Sequence, residues 1–329
     1  MCSPAKKLML LVLLAGVGMG ASAAAQEGGK VYRLGFLASG GSAANRSVID
    51  AFRDGLRELG WTEGRNITID YRFAEGRFDR LPALADELVR ANVDIIFATP
   101  SPAALAAKDA TRAIPIVMAS VADPVALGVV ESLSRPGGNV TGTSYSFDLD
   151  IFAKHLQLLH EAVPTARNVA VLWNPGNPGH VIAVRNVGAT ARSLGIALYF
   201  VEARVPEDFE RAFADIARQR AQAVLVMADS LFGTYATEVA ALTSRHRLPS
   251  IHGARSNVEA GGLMLYGPNI PRQAKQAAVY VDKILKGAKP SDLPVEQPTT
   301  FDLIVNLRTA KQLGIELPAS LLLRAETLP

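Results

Sequence analysis

The sequence predicts an α/β protein made of two doubly wound parallel-sheet lobes joined by a three-segment hinge. Three observations carry this. Short apolar runs alternate with amphipathic helical stretches, the pattern of βαβ units and a parallel sheet. The whole order of elements occurs twice along the chain. Three further passages lie between and after the two copies, where a chain shuttling between lobes must cross.

The elements follow in order. "RLGFLA" (33–38) reads as a strand, and "NRSVIDAFRDGLRELG" (45–60) carries a helical apolar stripe. "NITIDYRF" (66–73) alternates as a strand, "RFDRLPALADELVRA" (77–91) returns to helix, and "NVDIIFAT" (92–99), "PAALAAKDATRA" (102–113) and "IPIVMAS" (114–120) complete strand, helix, strand. The second copy runs "NVAVLW" (168–173), "HVIAVRNVGATARSLG" (180–195), "IALYFVEA" (196–203), "PEDFERAFADIARQRA" (206–221), "QAVLVMAD" (222–229), "FGTYATEVAALTSRHR" (232–247) and "LPSIHG" (248–253). Small details coincide too: the first helix of each copy ends in Leu-Gly, at Leu59-Gly60 and Leu194-Gly195, and each fourth strand opens on an apolar residue and Pro, at Ile114-Pro115 and Leu248-Pro249. The connecting passages are "PGGNVTGTSYSF" (136–147), "EAGGLMLYGPN" (259–269) with the helix "RQAKQAAVYVDKILKG" (272–287), and "PTTFDLIVNLRTAKQLG" (298–314). They predict one lobe from 31–145 plus 253–298 and a second from 146–252 plus 299–329.

At 329 residues and 49% hydrophobic composition, the chain is long enough for two cores. Its first 25 residues have Lys6 and Lys7 ahead of an apolar run and small residues through Ala25, the pattern of a cleaved secretory signal. The single cysteine, Cys2, precedes the apolar run, so it is not placed for lipoprotein acylation, and the mature chain is expected to be free of disulfides. The formal charge of +3 falls by two when Lys6 and Lys7 are removed, which gives no argument for nucleic acid or another polyanion as partner. No later stretch reaches the roughly 18 apolar residues of a membrane span.

Open parallel sheets bind ligands at the carboxyl ends of their strands, beside the point where strand order reverses. Two such sheets facing each other would form a cleft lined by the polar loops at those ends. In the first copy these are Ser39 and Gly40, then Thr99 and Ser101, then Ser120 and Asp123. In the second they are Trp173, Asn174 and Asn177 of "WNPGNPG", then Asp229 and Ser230, then His252. The alternative for each is local: Asn, Asp and Pro also cap helices and set turns.

Several stretches carry a resemblance. "SVADPVALGVVESLSRPGGNVTGTS", "VLWNPGNPG", "AGGLMLYGPN" and "YVDKILKGAKPSDLPVEQPTTFDLIVNLRTAKQLGI" resemble the substrate-binding proteins of ABC importers, in the branch that includes tryptophan- and tyrosine-associated importers. The resemblance implies the type I periplasmic binding fold, closure of two lobes on one small molecule, and delivery to a cognate permease with its ATPase. It implies a periplasmic monomer without cofactor or metal, and an amino acid or related carboxylate as ligand, aromatic ones included. Thr99, Ser101 and Ser120 then suit the ligand carboxylate, and Asp229 its ammonium, with Asp123 a second acid better placed as a cap. Tyr145 and Tyr266 fall on the crossovers, where a ring either covers the ligand or packs the hinge.

Two other classes are weighed: a secreted α/β enzyme such as a hydrolase, and a ligand-sensing domain for a membrane receptor. For the enzyme the chemistry is missing. The mature sequence has no Gly-x-Ser-x-Gly elbow, phosphate-binding loop or cysteine, and His155 and His160 lie five apart, off the spacing of a helical metal pair. The sensor is separated from the carrier only by its partner.

Overall fold

The computed structural model describes residues 30–145, 149–184 and 188–329; the expected signal segment and Cys2 lie outside the described residues. The first sheet contains β1 (Tyr32–Ala38), β2 (Ile67–Phe73), β3 (Ile95–Thr99), β4 (Ile116–Val121) and β5 (Val140–Ser144), all parallel in the order β2-β1-β3-β4-β5. Every residue of β3 and β4 is buried, as expected for strands covered on both faces. Alternation divides β1 between two cores: Leu34, Phe36 and Ala38 pack with α1 (Arg46–Glu58) through Val48, Phe52 and Leu56, while Leu37 packs with α2 (Leu81–Arg90) and α3 (Ser101–Ala110).

The second sheet has the order β12-β11-β10-β9-β8-β6-β7. Its strands are β6 (Asn168–Trp173), β7 (Ala197–Glu202), β8 (Ala223–Val226), β9 (Ser250–His252), β10 (Met264–Pro268), β11 (Phe301–Asn306) and β12 (Glu326–Leu328). Around it lie α4 (Leu149–Ala162), α5 (Pro178–Val184), α6 (Gly188–Ser193), α7 (Phe209–Arg218), α8 (Ser230–Thr234), α9 (Ala236–Arg245), α10 (Arg255–Glu259), α12 (Leu307–Leu313) and α13 (Ala319–Leu322). The short C-terminal strand β12, for which no strand is expected from the sequence, pairs with β11.

One expected boundary moves. The sequence places residues 253–298 in the first lobe, yet β10, inside that span, is a strand of the second sheet, parallel to β9 and antiparallel to β11. The chain crosses only after Pro268. It then forms α11 (Ile270–Leu285), which does return to the first core and lies on α1 so closely that a methyl on Gly55 would sit 2.9 Å from the Ala278 Cβ. Because the chain re-enters the second sheet where it left, with Phe301 opposite Pro268, β11 must run antiparallel to β10. Among the described residues this is the one pair that departs from two wholly parallel sheets.

The three crossings are thus Tyr145 to Leu149, Pro268 to Ile270 and Glu296 to Phe301. The first and last are tied together, since Ser144 N–H donates to Glu296 O at 2.9 Å and Glu296 N–H to Gly142 O at 3.0 Å. The α11 side chain of Gln273 joins them, donating through Nε2 to Ser144 O at 3.0 Å and accepting a short hydrogen bond from the Ser120 hydroxyl.

Candidate ligand-binding site

Strand order reverses between β1 and β3 in the first sheet and between β6 and β8 in the second. The loops after these strands face each other. Gly41 N–H donates to Thr234 Oγ1 at 3.0 Å, and a methyl on Gly40 would lie 3.2 Å from that hydroxyl and 3.6 Å from Ser230 Cβ. Farther out, Arg77 pairs with Glu207 at 2.6 Å. The two lobes therefore touch across the mouth of the cleft, in a closed arrangement.

On the first-lobe side, Ser39 follows β1 and Thr99 ends the adjacent β3, with Ser39 N–H donating to Thr99 O at 3.0 Å. Both are buried, and among the described residues the Ser39 Oγ has no hydrogen-bond partner. A buried hydroxyl without a partner is costly and calls for one. Ser101 opens α3, so its helix presents free N–H groups at this point. Its Oγ accepts from Ala122 N–H at 2.8 Å, which leaves its hydrogen available to donate.

Two expected first-lobe residues are turned elsewhere. Ser120 sits in an irregularity of β4, with φ of 57°, where pairing to β5 shifts register. The irregularity needs Gly142 opposite, at φ 135°, since a Cβ there would be 2.0 Å from Met118 O. Ser120 thereby aims its hydroxyl at Gln273 of the hinge, so its assignment to a ligand carboxylate is corrected. Asp123 takes the capping alternative, accepting from Ala126 N–H at 3.0 Å.

On the second-lobe side, the geometry of "WNPGNPG" is set by its own amides. Asn174 Oδ1 accepts from Gly176 N–H at 2.8 Å, and Asn177 Oδ1 caps α5 by accepting from Gly179 N–H at 3.0 Å. The nitrogens of the same two amides turn to Asp229: Asn177 Nδ2 donates to Oδ2 at 2.8 Å and Asn174 Nδ2 to Oδ1 at 3.4 Å. Leu231 N–H completes the set at 2.8 Å, making Asp229 the cap of α8. The Asp229 side chain is fully buried, and its neighbour His180 stands 3.8 Å away with its pKa lowered by burial, despite the opposing pull of Asp229. Every contact of this carboxylate among the described residues is thus neutral.

The aromatic candidates divide. Trp173 is half-buried against the core beneath α4, and its Nε1 is buried without a partner among the described residues. Tyr145 is buried, with its hydroxyl against Gly267 and its pKa raised by burial. Tyr266 stacks on Phe301 at 5.6 Å and meets the edge of His155 at 6.0 Å, the hinge-packing alternative. His252 is corrected as a cleft residue. Its ring folds back along β9 to Ser250 Oγ at 2.9 Å and presses on Gly262, because the strand end is covered by α10; burial lowers its pKa to about 3.

Sequence reasoning missed His180, Gln273 and Thr234. None has a motif, and only the chain's folding brings Gln273 and Thr234 to positions far away in sequence. His180 alone left a trace, as the first residue after the double Asn-Pro-Gly turn.

A family model described as ABC transporter substrate binding protein matches residues 41–328. The chain is 28% identical over 265 residues to a tyrosine-binding protein of Clostridioides difficile, covering 80% of this chain and 76% of the relative. Among solved structures, a conserved domain protein from Vibrio cholerae superposes with a TM-score of 0.85 at 29% identity, and an ABC domain in complex with L-Trp from Streptococcus with 0.84 at 24%. Each alignment covers 91% of this chain and 99% of the other.

Proposed function

The chain belongs to the ABC transporter substrate-binding protein family, whose members take up a small molecule for a transporter, and on that premise we propose that its ligand is an amino acid, aromatic ones first, held between the two lobes. The observation that carries this reading is the Asp229 carboxylate, buried among neutral partners opposite a lobe that offers hydroxyls and helix N–H groups. A buried charge is stable when it is paired, and an ammonium group supplies that pairing. The Ser39 hydroxyl, Thr99 and the start of α3 suit the opposite end of a zwitterion, a carboxylate. The tyrosine named for the C. difficile relative puts L-tyrosine first among candidates.

In this reading the protein is a carrier and not an enzyme, exported by residues 1–25 to the periplasm, acting as a monomer and docking on a permease driven by an ATPase. With β10 moved, its lobes are 31–145 plus 269–298 and 149–268 plus 299–329. A thermal-shift and calorimetric screen of the mature protein against L-tyrosine, L-tryptophan, the other amino acids and their desamino analogues tests it, since a ligand raises the melting point by mass action. Preference for a sugar or nucleoside would overturn the amino-acid reading, and consumption of the ligand would overturn the carrier.

A further inference from the structure

We propose that His180 is a positioning residue for the ligand's charged group: it clasps the exits of β6 and β8 and, by remaining a neutral ring, leaves the Asp229 carboxylate uncompensated and oriented for an ammonium. The inference rests on the reading of Asp229 given above.

The geometry has three parts. His180 is wholly buried on α5, where its Nδ1 accepts from the Asn174 N–H at 3.0 Å. The hydrogen of the neutral ring must then sit on Nε2, which lies 2.9 Å from Ala228 O and donates to it. One side chain thus joins the first backbone group after β6 to the residue before Asp229, across the point where strand order reverses. Asp229 Oδ2, at 3.8 Å from Nε2, is beyond hydrogen-bond reach and finds the ring's only N–H already committed.

Protonation is opposed by this arrangement. A second ring hydrogen would be on Nδ1 and would meet the Asn174 N–H head-on, donor against donor. Among the described residues Asp229 is the one charged group acting on the ring, and burial outweighs its pull. The consequence is electrostatic. A lysine or arginine at this position would form an ion pair with Asp229 and cancel its charge. A neutral ring holds the loops without doing so, and the Asn174 and Asn177 amides likewise contribute hydrogen bonds but no charge. The charge is left for the ligand to match.

The test compares each amino acid with its desamino analogue by calorimetry: L-tyrosine with 3-(4-hydroxyphenyl)propionate, and L-tryptophan with indole-3-propionate. In His180→Leu, affinity for the amino acid should fall roughly 10- to 100-fold, the range found when a partner that orients a metal ligand is lost, while the analogue changes less than about three-fold. His180→Gln, which keeps one acceptor and one donor, should recover most of the preference. Equal weakening of both ligands, or of neither, overturns the proposal. Should His180→Leu not fold, 15N spectra of the wild-type imidazole decide: at about pH 6.5, where an ordinary imidazole is half protonated, the Nε2–H tautomer should predominate with and without ligand, and a half-populated imidazolium there overturns the inference. Asp229→Asn separates the two readings. If it leaves the preference intact, the reading of Asp229 fails; if it abolishes the preference while His180→Leu does not, only the positioning role fails. A wild type that binds none of the amino acids in the screen overturns both.

Discussion

At the scale of the residue, Ser39 and Asp229 have complementary needs: among the described residues one is a buried hydroxyl without a partner, the other a buried carboxylate without a cation. Asp229→Asn should weaken an amino-acid ligand by at least ~30-fold, because truncating a desolvated charge pair costs about 2 to 5 kcal/mol, and titration calorimetry would read it. Ser39→Ala should behave differently. Without ligand it should leave the melting point unchanged or slightly higher, since an unsatisfied group is removed, while ligand affinity should drop about 3- to 10-fold for one lost hydrogen bond. Trp173 gives an optical check. It opens the cleft loop and packs half-buried on the second-lobe core, whereas Trp61 is fastened to Asp282 at 2.9 Å and packed edge-on to Tyr32. Trp173→Phe should abolish the ligand-dependent fluorescence change, and Trp61→Phe should preserve it.

At the scale of the element, β4 is the informative strand. Its irregularity diverts Ser120 from the cleft to Gln273 of α11, and so connects the first sheet to the hinge through a side chain rather than a strand pair. Gly142 permits this by its positive φ and by the approach of Met118 O. Gly142→Ala should therefore destabilise severely, by more than about 3 kcal/mol, because backbone strain and overlap with main-chain atoms cannot be relieved by a rotamer change. Denaturant unfolding would measure it, and a loss under about 1 kcal/mol would show that the two strands shift apart readily.

At the scale of the whole molecule, closure depends on near contact between the Gly40-Gly41 turn and α8. A Gly40→Val side chain should meet Thr234 and hold the lobes apart, so small-angle scattering should show a larger radius that ligand no longer reduces. The Arg77–Glu207 pair should matter little, since both side chains are exposed and water screens them. Acid should act on the second lobe. Burial lowers the pKa of His155 from 6.5 to about 4 and of His252 to about 3, so between these values the unfolded chain binds the protons and folding loses stability as pH falls. Stability should be level above pH ~7 and decline below ~6.5, by up to ~1.4 kcal/mol per pH unit for each such histidine. Unfolding curves across that range would test this.

Local pattern was enough for much of the molecule. The apolar runs of β1, β3, β6 and β8 and the stripe Val48, Phe52, Leu56 are visible because burial repeats with the period of strand or helix, and the turn chemistry of Asn174 and Asn177 is written in "WNPGNPG" itself. Those features fixed two α/β copies, the loops at the strand ends and Asp229 among them. What pairs with what was decided only in three dimensions. Nothing local distinguishes β10 as a strand of the second lobe followed by a helix of the first, because its apolar alternation serves either sheet equally well. Ser120 and His252 read as cleft residues by position, yet a strand irregularity turns one to Gln273 and a covering helix folds the other back to Ser250. The neutrality of His180 is likewise a tertiary property: its tautomer is set by Asn174 N–H and Ala228 O, two backbone groups that only the packed sheet brings to one ring.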